Sequence, residues 1–191
     1  MKISILIHKS SESIDFGDFR LYNKDIFRKR GNSVKKIEKT NVMRVLDQKK
    51  ISYESHSYVD TDAISGVEVA AILNQDVNQV FKTLVTIGAT KTYYVYMIPV
   101  HKELDLKKAA KAVGEKSVAM IKSKDLLPLT GYIHGGCSPI GMKKQFKTTI
   151  DASAANFATI VFSAGKIGYQ VELSLEDLNK VIRVELADLT E

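Results

Sequence analysis

Lys82 sits in the middle of an apolar, β-branched run, Val80-Phe81-Lys82-Thr83-Leu84-Val85-Thr86-Ile87. In an extended strand alternate side chains share a face. Lys82 then falls with Val80, Leu84 and Thr86, opposite Phe81, Thr83, Val85 and Ile87, and either face could be the buried one. Two roles are open to such a lysine. Its four methylenes can lie along the sheet while the ammonium reaches water, or the ammonium can stand in a cleft and hold a phosphate or hydroxyl as a point charge.

Residues 131–141, Gly-Tyr-Ile-His-Gly-Gly-Cys-Ser-Pro-Ile-Gly, place four glycines and a proline in eleven positions. Around Gly135 and Gly136 the backbone can approach a ligand with no side chain in the way, and successive free amides can bind an oxyanion or polarise a carbonyl. A tight connection between two strands would have the same composition. The passage lacks the Gly-Lys-Ser/Thr ending of a P-loop and the GxGxxG spacing of a dinucleotide site. Cys137 lies three residues from His134, but a Cys-His pair normally converges from separate parts of a fold, and a small buried thiol is the plainer role. His8, His56, His101 and His134 show no HxH, HxxxH or HExxH spacing, so no metal site is expected, and there is no GxSxG elbow. One cysteine in the chain excludes an intramolecular disulfide and a multi-cysteine metal site.

The elements that must hold these residues can be read from the rest of the chain. It has 191 residues, 45% of them apolar, with 28 Lys+Arg against 22 Asp+Glu, which suits one compact domain with an appendage. No apolar run approaches the roughly 18 residues of a membrane-spanning helix, and residues 3–7 are too few for a secretory leader, so a soluble, cytoplasmic protein without membrane contact is expected. Residues 1–39 carry 10 Lys+Arg and 5 Asp+Glu, against 18 and 17 in the remainder. So small a basic surplus fits contact with a few phosphates rather than wrapping of a long duplex. Residues 1–34, which include Arg28-Lys29-Arg30, show no sustained period and read as an N-terminal extension; the domain proper spans 35–191.

Within that domain, Thr40 or Asn41 caps a predicted helix ending at Lys49-Lys50, and residues 51–59 read as a strand. Ser65-Gly66-Val67-Glu68 is a capping box opening a short helix through Leu73. Residues 80–88 and 93–99 form a predicted hairpin, and residues 104–113 a helix stopped by Gly114. Strands at 117–121, 148–151, 158–162 and 169–173, a helical turn at 123–127 and a helix over 174–182 complete the pattern. The fold class expected is mixed α/β (α+β), a largely antiparallel, barrel-like β-sheet flanked by helices.

Several linked blocks resemble a known family. They are Lys39-Thr40-Asn41-Val42-Met43-Arg44, His56-Ser57-Tyr58, Val80-Phe81-Lys82-Thr83-Leu84, Leu104-Asp105-Leu106-Lys107-Lys108-Ala109-Ala110, Gly135-Gly136-Cys137-Ser138-Pro139-Ile140-Gly141, Ile150-Asp151 and Ser163-Ala164-Gly165-Lys166. In this order and spacing the chain resembles the YbaK/EbsC family of free-standing aminoacyl-tRNA deacylases, relatives of the editing domain inserted in bacterial prolyl-tRNA synthetases. The resemblance runs from about residue 35 to residue 182. It implies hydrolysis of the ester that links a wrong amino acid to tRNA, with Cys-tRNA(Pro) as substrate, no cofactor, and prolyl-tRNA synthetase as a partner.

Carried over residue by residue, the resemblance makes Lys82 the anchor for the 3′-terminal adenosine. Residues 135–139 become the GxxxP loop: Gly135 and Gly136 supply backbone amides to the amino-acid carbonyl, with Cys137, Ser138 and Pro139 beside the substrate. Tyr58, Ser163 and Gly165 are implied to line the pocket. A position often acidic in relatives is Gln170 here, and its contribution is left open. The resemblance also implies why no side-chain triad is found: the substrate's own thiol attacks its carbonyl and leaves as a thiolactone, so the protein supplies geometry and carbonyl polarisation. Cys137 is then dispensable. The alternatives are a deacylase for Ala- or Ser-tRNA that uses water, and a binding module for tRNA ends or nucleotides without turnover.

Overall fold

The computed structural model describes residues 38–63 and 65–191. The extension expected over residues 1–34 lies outside them. Helix α1 (Asn41–Gln48) is capped by Thr40, whose hydroxyl accepts from the Met43 N–H, and it buries Val42, Met43 and Leu46 on one face. Strand β1 (Glu54–Ser57) is shorter than expected, and α2 (Gly66–Ile72) opens on the full capping box: Ser65 accepts from the Glu68 N–H and Glu68 from the Ser65 N–H. The hairpin β2 (Val80–Gly88) and β3 (Tyr93–Pro99) follows. Helix α3 (Leu106–Val113) starts at Asp105, whose carboxylate accepts from two backbone amides, and stops at Gly114 with φ +78°, a conformation that favours glycine.

Next come β4 (Val118–Met120), α4 (Ser123–Thr130) and β5 (Lys147–Asp151), then a 3₁₀ turn (Ala152–Asn156). Strands β6 (Ile160–Ser163) and β7 (Tyr169–Leu173), helix α5 (Leu175–Val181) and strand β8 (Val184–Ala187) end the described chain. The 3₁₀ turn and β8 are the elements that sequence pattern misses. Strand β8 reads Val-Glu-Leu-Ala without clean alternation and exists because it pairs in parallel with β5. The Asp151 carboxylate also accepts from the Leu189 N–H, which fastens the segment beyond β8.

The strands form one eight-stranded sheet in the order β1-β7-β6-β2-β3-β5-β8, with β4 also on β2. Antiparallel pairs (β1–β7, β2–β3, β2–β4, β6–β7) outnumber parallel ones (β2–β6, β3–β5, β5–β8) by one, and β1 and β8 leave the sheet open rather than closed into a barrel. Both faces are covered. Phe81, Val85, Val95, Phe162 and Val171 face the main core with Val42 and Leu46 of α1, Leu126 of α4 and Leu178 of α5. On the other face Tyr94, Tyr96 and Ile98 pack on Ala109 and Ala110 of α3, and Val80 and Val161 pack on Ala70 of α2. The question that alternation left open, which face of β2 is buried, is answered by three layers: helices lie on both sides.

The pairing of β2 is unequal along its two edges. One edge bonds β3 from Phe81 to Ile87. The other meets β6 only at Val80 and Phe81, and β4 only at Thr86, Ile87 and Gly88. Over residues 82–85 no strand is paired on that edge, and the sheet splits into a notch. Replacing a residue that supports the sheet from below should be felt globally: Leu46→Ala, at a position with no exposed surface, is expected to lower unfolding free energy by about 2–5 kcal/mol, measured by urea denaturation.

Candidate active site

The notch assembles a row of polar side chains. Ser163 and Gln170 are direct partners across β6 and β7, and Gln170 is in turn opposite His56 on β1. Phe162 pairs with Phe81, so Ser163 stands one position further, beside Lys82, where the two strands part. Cross-strand neighbours share a face. Lys82, Ser163, Gln170 and His56 thus line up across four strands on the α2 side.

Here a cleft of about 250 Å³ opens between β2, the start of α2, Tyr58 and the loop after α4. Consecutive residues of β2, from Val80 to Leu84, all border it. Lys82, Thr83 and Leu84 do so where the strand edge is unpaired; along a paired strand every second residue would point away. Thr83, Leu126 and Cys137 therefore meet the cleft from the core side, and Lys82, Ser163 and Gln170 from the other.

Lys82 is half-buried along its stem, and its ammonium donates to the Glu103 carboxylate at 2.9 Å. The Glu103 side chain is 82% exposed. An ion pair with so exposed a partner contributes roughly 0–1 kcal/mol, so a phosphate entering the cleft can take its place. Two polar atoms in the cleft wall have no partner among the described residues: Thr83 Oγ1 and Gln170 Oε1 are both buried without a hydrogen bond there. Gln170 is 5% exposed. An orphaned buried acceptor is unfavourable by about 1–3 kcal/mol, which a ligand donor would recover.

The loop is fixed from inside. Helix α4 ends at Gly131 with φ +86°, and the Tyr132 hydroxyl donates to the Ile140 carbonyl at 2.6 Å, closing the segment. Gly165, at φ +83°, lies against the Tyr132 ring; a Cβ there would come within 2.8 Å of it. Gly136 donates its N–H to the Ile133 carbonyl at 3.1 Å, whereas the N–H groups of Gly135 and Cys137 make no bond to a described residue. The Cys137 side chain is buried and its thiol is pushed up to about 12 by that burial. It is a neutral packing group at physiological pH, not a nucleophile.

Of the residues singled out from sequence, Tyr58, Lys82, Gly135, Cys137 and Ser163 border the cleft together with Gln170. Tyr58 is set there by its backbone, which donates to the Gly168 carbonyl at 2.8 Å. Gly136, Ser138 and Gly165 do not border it. Ser138 has no exposed surface and its hydroxyl accepts from the Ile140 N–H within the loop, and Pro139 faces a separate groove. Sequence reasoning missed Thr83, Leu126, Val69 and His134 as cleft residues. Only His134 carried a local signal, its place in the glycine-rich passage.

Among the described residues, Glu54, His56 and Glu172 bring three potential metal-ligand atoms within 4.8 Å of one another. Glu172 is already engaged: it accepts from His56 at 2.8 Å, from Thr159 at 2.6 Å and from Gln79 at 3.2 Å. Burial raises its pKa, but these bonds outweigh it and hold the carboxyl below its usual range. The cluster is a hydrogen-bonded brace at the His56 end of the row.

Residues 61–181 match the family model of the aminoacyl-tRNA editing domain. A curated relative from Enterococcus faecalis, named EbsC and described as a candidate Cys-tRNA(Pro)/Cys-tRNA(Cys) deacylase, is 45% identical over 154 residues, covering 80% of this chain and 94% of its own. The fold recurs in a crystal structure of a candidate trans-editing enzyme for prolyl-tRNA synthetase (TM-score 0.69, 22% identity, covering 78% of this chain and 94% of that one). It recurs also in the hypothetical protein APE2540 (TM-score 0.71, 20% identity, covering 78% and 99%). On the family match and the identity to the Enterococcus relative, the chain belongs to the aminoacyl-tRNA editing domain family.

Proposed function

We propose that this protein, an aminoacyl-tRNA deacylase by its family, acts in trans on Cys-tRNA(Pro) and releases cysteine by attack of the substrate's own thiol. The observation that carries the reading is a cleft whose described residues offer one cation, two unpaired polar side chains and no activated nucleophile. Lys82 receives the 3′-terminal adenosine through a phosphate or ribose oxygen, displacing Glu103. Gln170 Oε1 and Thr83 Oγ1 accept from the α-ammonium of the aminoacyl group, a donor that every aminoacyl-tRNA carries. The apolar side chains of Leu126, Cys137 and Val69 leave room for a small, weakly polar side chain such as CH₂SH.

The chemistry follows from that placement. The cysteinyl sulfur, losing its proton to solvent, adds to the ester carbonyl; the tetrahedral oxyanion is held by the amides of Gly135 and Cys137. Collapse of that intermediate breaks the C–O bond to the ribose, whose oxygen takes up a proton, and the amino acid leaves as a thiolactone that water opens to cysteine. Proximity of the reacting atoms replaces a protein nucleophile, and backbone donors replace a general acid. Because the cleft admits only the acceptor end, tRNA identity is supplied by a second protein, prolyl-tRNA synthetase, and the reaction belongs in the cytoplasm, where charged tRNA is made.

Four variants at three positions test this on purified Cys-tRNA(Pro), followed as release of free tRNA. Lys82→Ala is expected to lower kcat/KM roughly 10- to 100-fold, the loss of one charge-assisted hydrogen bond to an anion; an unchanged value would remove Lys82 from the site. Gln170→Leu is expected to lower kcat/KM about 10-fold while Gln170→Glu, which keeps an acceptor, retains activity. Equal losses in both would mean that Gln170 only packs. Cys137→Ala should keep most activity in a folded protein, and its loss of turnover would return the nucleophile to the protein.

A further inference from the structure

The glycine-rich loop has a second cavity at its far end. Pro139, Ile140 and Gly141 border a groove of about 550 Å³ that also touches the end of α1, the start of β5 and the link from α5 to β8. Its cations come from three separate parts of the chain: Lys49, Lys144, Lys147 and Arg183. Among the described residues one carboxylate borders it, Glu185, and that is paired with Lys147 at 3.0 Å. Lys49, Lys144 and Arg183 form no ion pair with a described residue. The groove's half-buried apolar lining includes Val45, Phe146 and Val181, with the Phe146 ring held edge-on by Tyr93 at 6.3 Å.

Three cations with no ion-pair partner among the described residues around one groove raise the local positive potential and select for a polyanion. The apolar lining distinguishes a strand of nucleotides from a lone anion, because bases and riboses can cover it while their phosphates meet the rim. Position supports the same occupant. Cys137 borders the cleft and Pro139 the groove, so the two walls are at most about 7 Å apart along the chain, a distance that one or two nucleotides cover.

We propose that this groove is a second nucleic-acid contact, a seat for the phosphate backbone of the tRNA whose aminoacylated end enters the cleft. The inference builds on the aminoacyl-tRNA reading and adds to it a sequence-independent anchor outside the reacting centre. Lys144 and Arg183 are the residues to remove, since Lys49 also follows the last turn of α1, where a cation favours the helix.

The test compares the full chain with Lys144→Ala/Arg183→Ala, and with a control of equal charge on the opposite side of the sheet, Lys111→Ala/Lys116→Ala. Binding of uncharged tRNA is measured between 50 and 200 mM salt, as settings of the experiment. Deacylation is measured on Cys-tRNA(Pro) and on cysteinyl-adenosine. The groove variant is expected to bind tRNA roughly 10-fold more weakly at low salt, with the slope of log K against log salt reduced by about 2, and to raise KM on the tRNA with kcat unchanged. Cysteinyl-adenosine turnover and the control variant stay at the wild-type level. Unchanged tRNA affinity and slope, the result if a polypeptide occupies the groove, would overturn the proposal, as would equal loss on cysteinyl-adenosine. Groove-dependent tRNA binding in a wild-type chain that hydrolyses neither ester would leave the groove standing and sink the deacylase reading instead.

Discussion

One strand paired fully on one edge and only at its ends on the other is the constraint from which the site follows. Because β6 and β4 both bond β2 and cannot share residues 82–85, the sheet must part there. The parting brings Lys82, Thr83 and Leu84 together along one cleft, sets Lys82 beside Ser163 and Gln170, and lets the loop after α4 reach the notch from the core side. Helices on both faces keep the split from collapsing: α2 covers Val80 and Val161, while α1 and α4 support Phe81 and Val85. A stable three-layer body can then carry an opening in its middle layer, which is where a small ligand site needs rigid walls.

The cleft is suited to a reaction in which the protein contributes position and polarity. Its thiol is buried and neutral, its lysine is a point charge held by an exposed glutamate, and its unpaired acceptors await a donor. Nothing in that set resembles a base poised beside a hydroxyl or thiol nucleophile. Intramolecular attack by a substrate thiol asks for just this: a carbonyl held near backbone donors and an ammonium held still. The brace of Glu172, His56, Thr159 and Gln79 keeps the Gln170 row rigid without entering the cleft.

Much of this was legible in the sequence, and the missing parts share one cause. Local signals were dependable: the capping box at Ser65 and Glu68, Gly114 at the end of α3, and the hairpin of β2 and β3 all form as expected. The family blocks located Lys82 and the glycine-rich loop. Long-range pairing was not legible. Which face of β2 is buried, the parallel attachment of β8 to β5, and the meeting of Thr83 with Leu126 and Cys137 depend on residues dozens of positions apart. The loop shows a finer limit. Composition alone marks Gly135 and Gly136 as equivalent amides, but the Gly136 N–H is used by Ile133, and the available donors are those on either side of it.

The central claim is that the substrate's thiol does the work of the nucleophile. It is tested most directly by presenting the wild-type protein with Cys-, Ser- and Ala-tRNA(Pro) side by side and trapping the released amino-acid product. Fast release from the cysteinyl ester alone, with a thiolactone captured before it hydrolyses, is the expected result. Comparable release from the seryl or alanyl ester, or free cysteine formed with no thiolactone precursor, would contradict it and assign the attack to water.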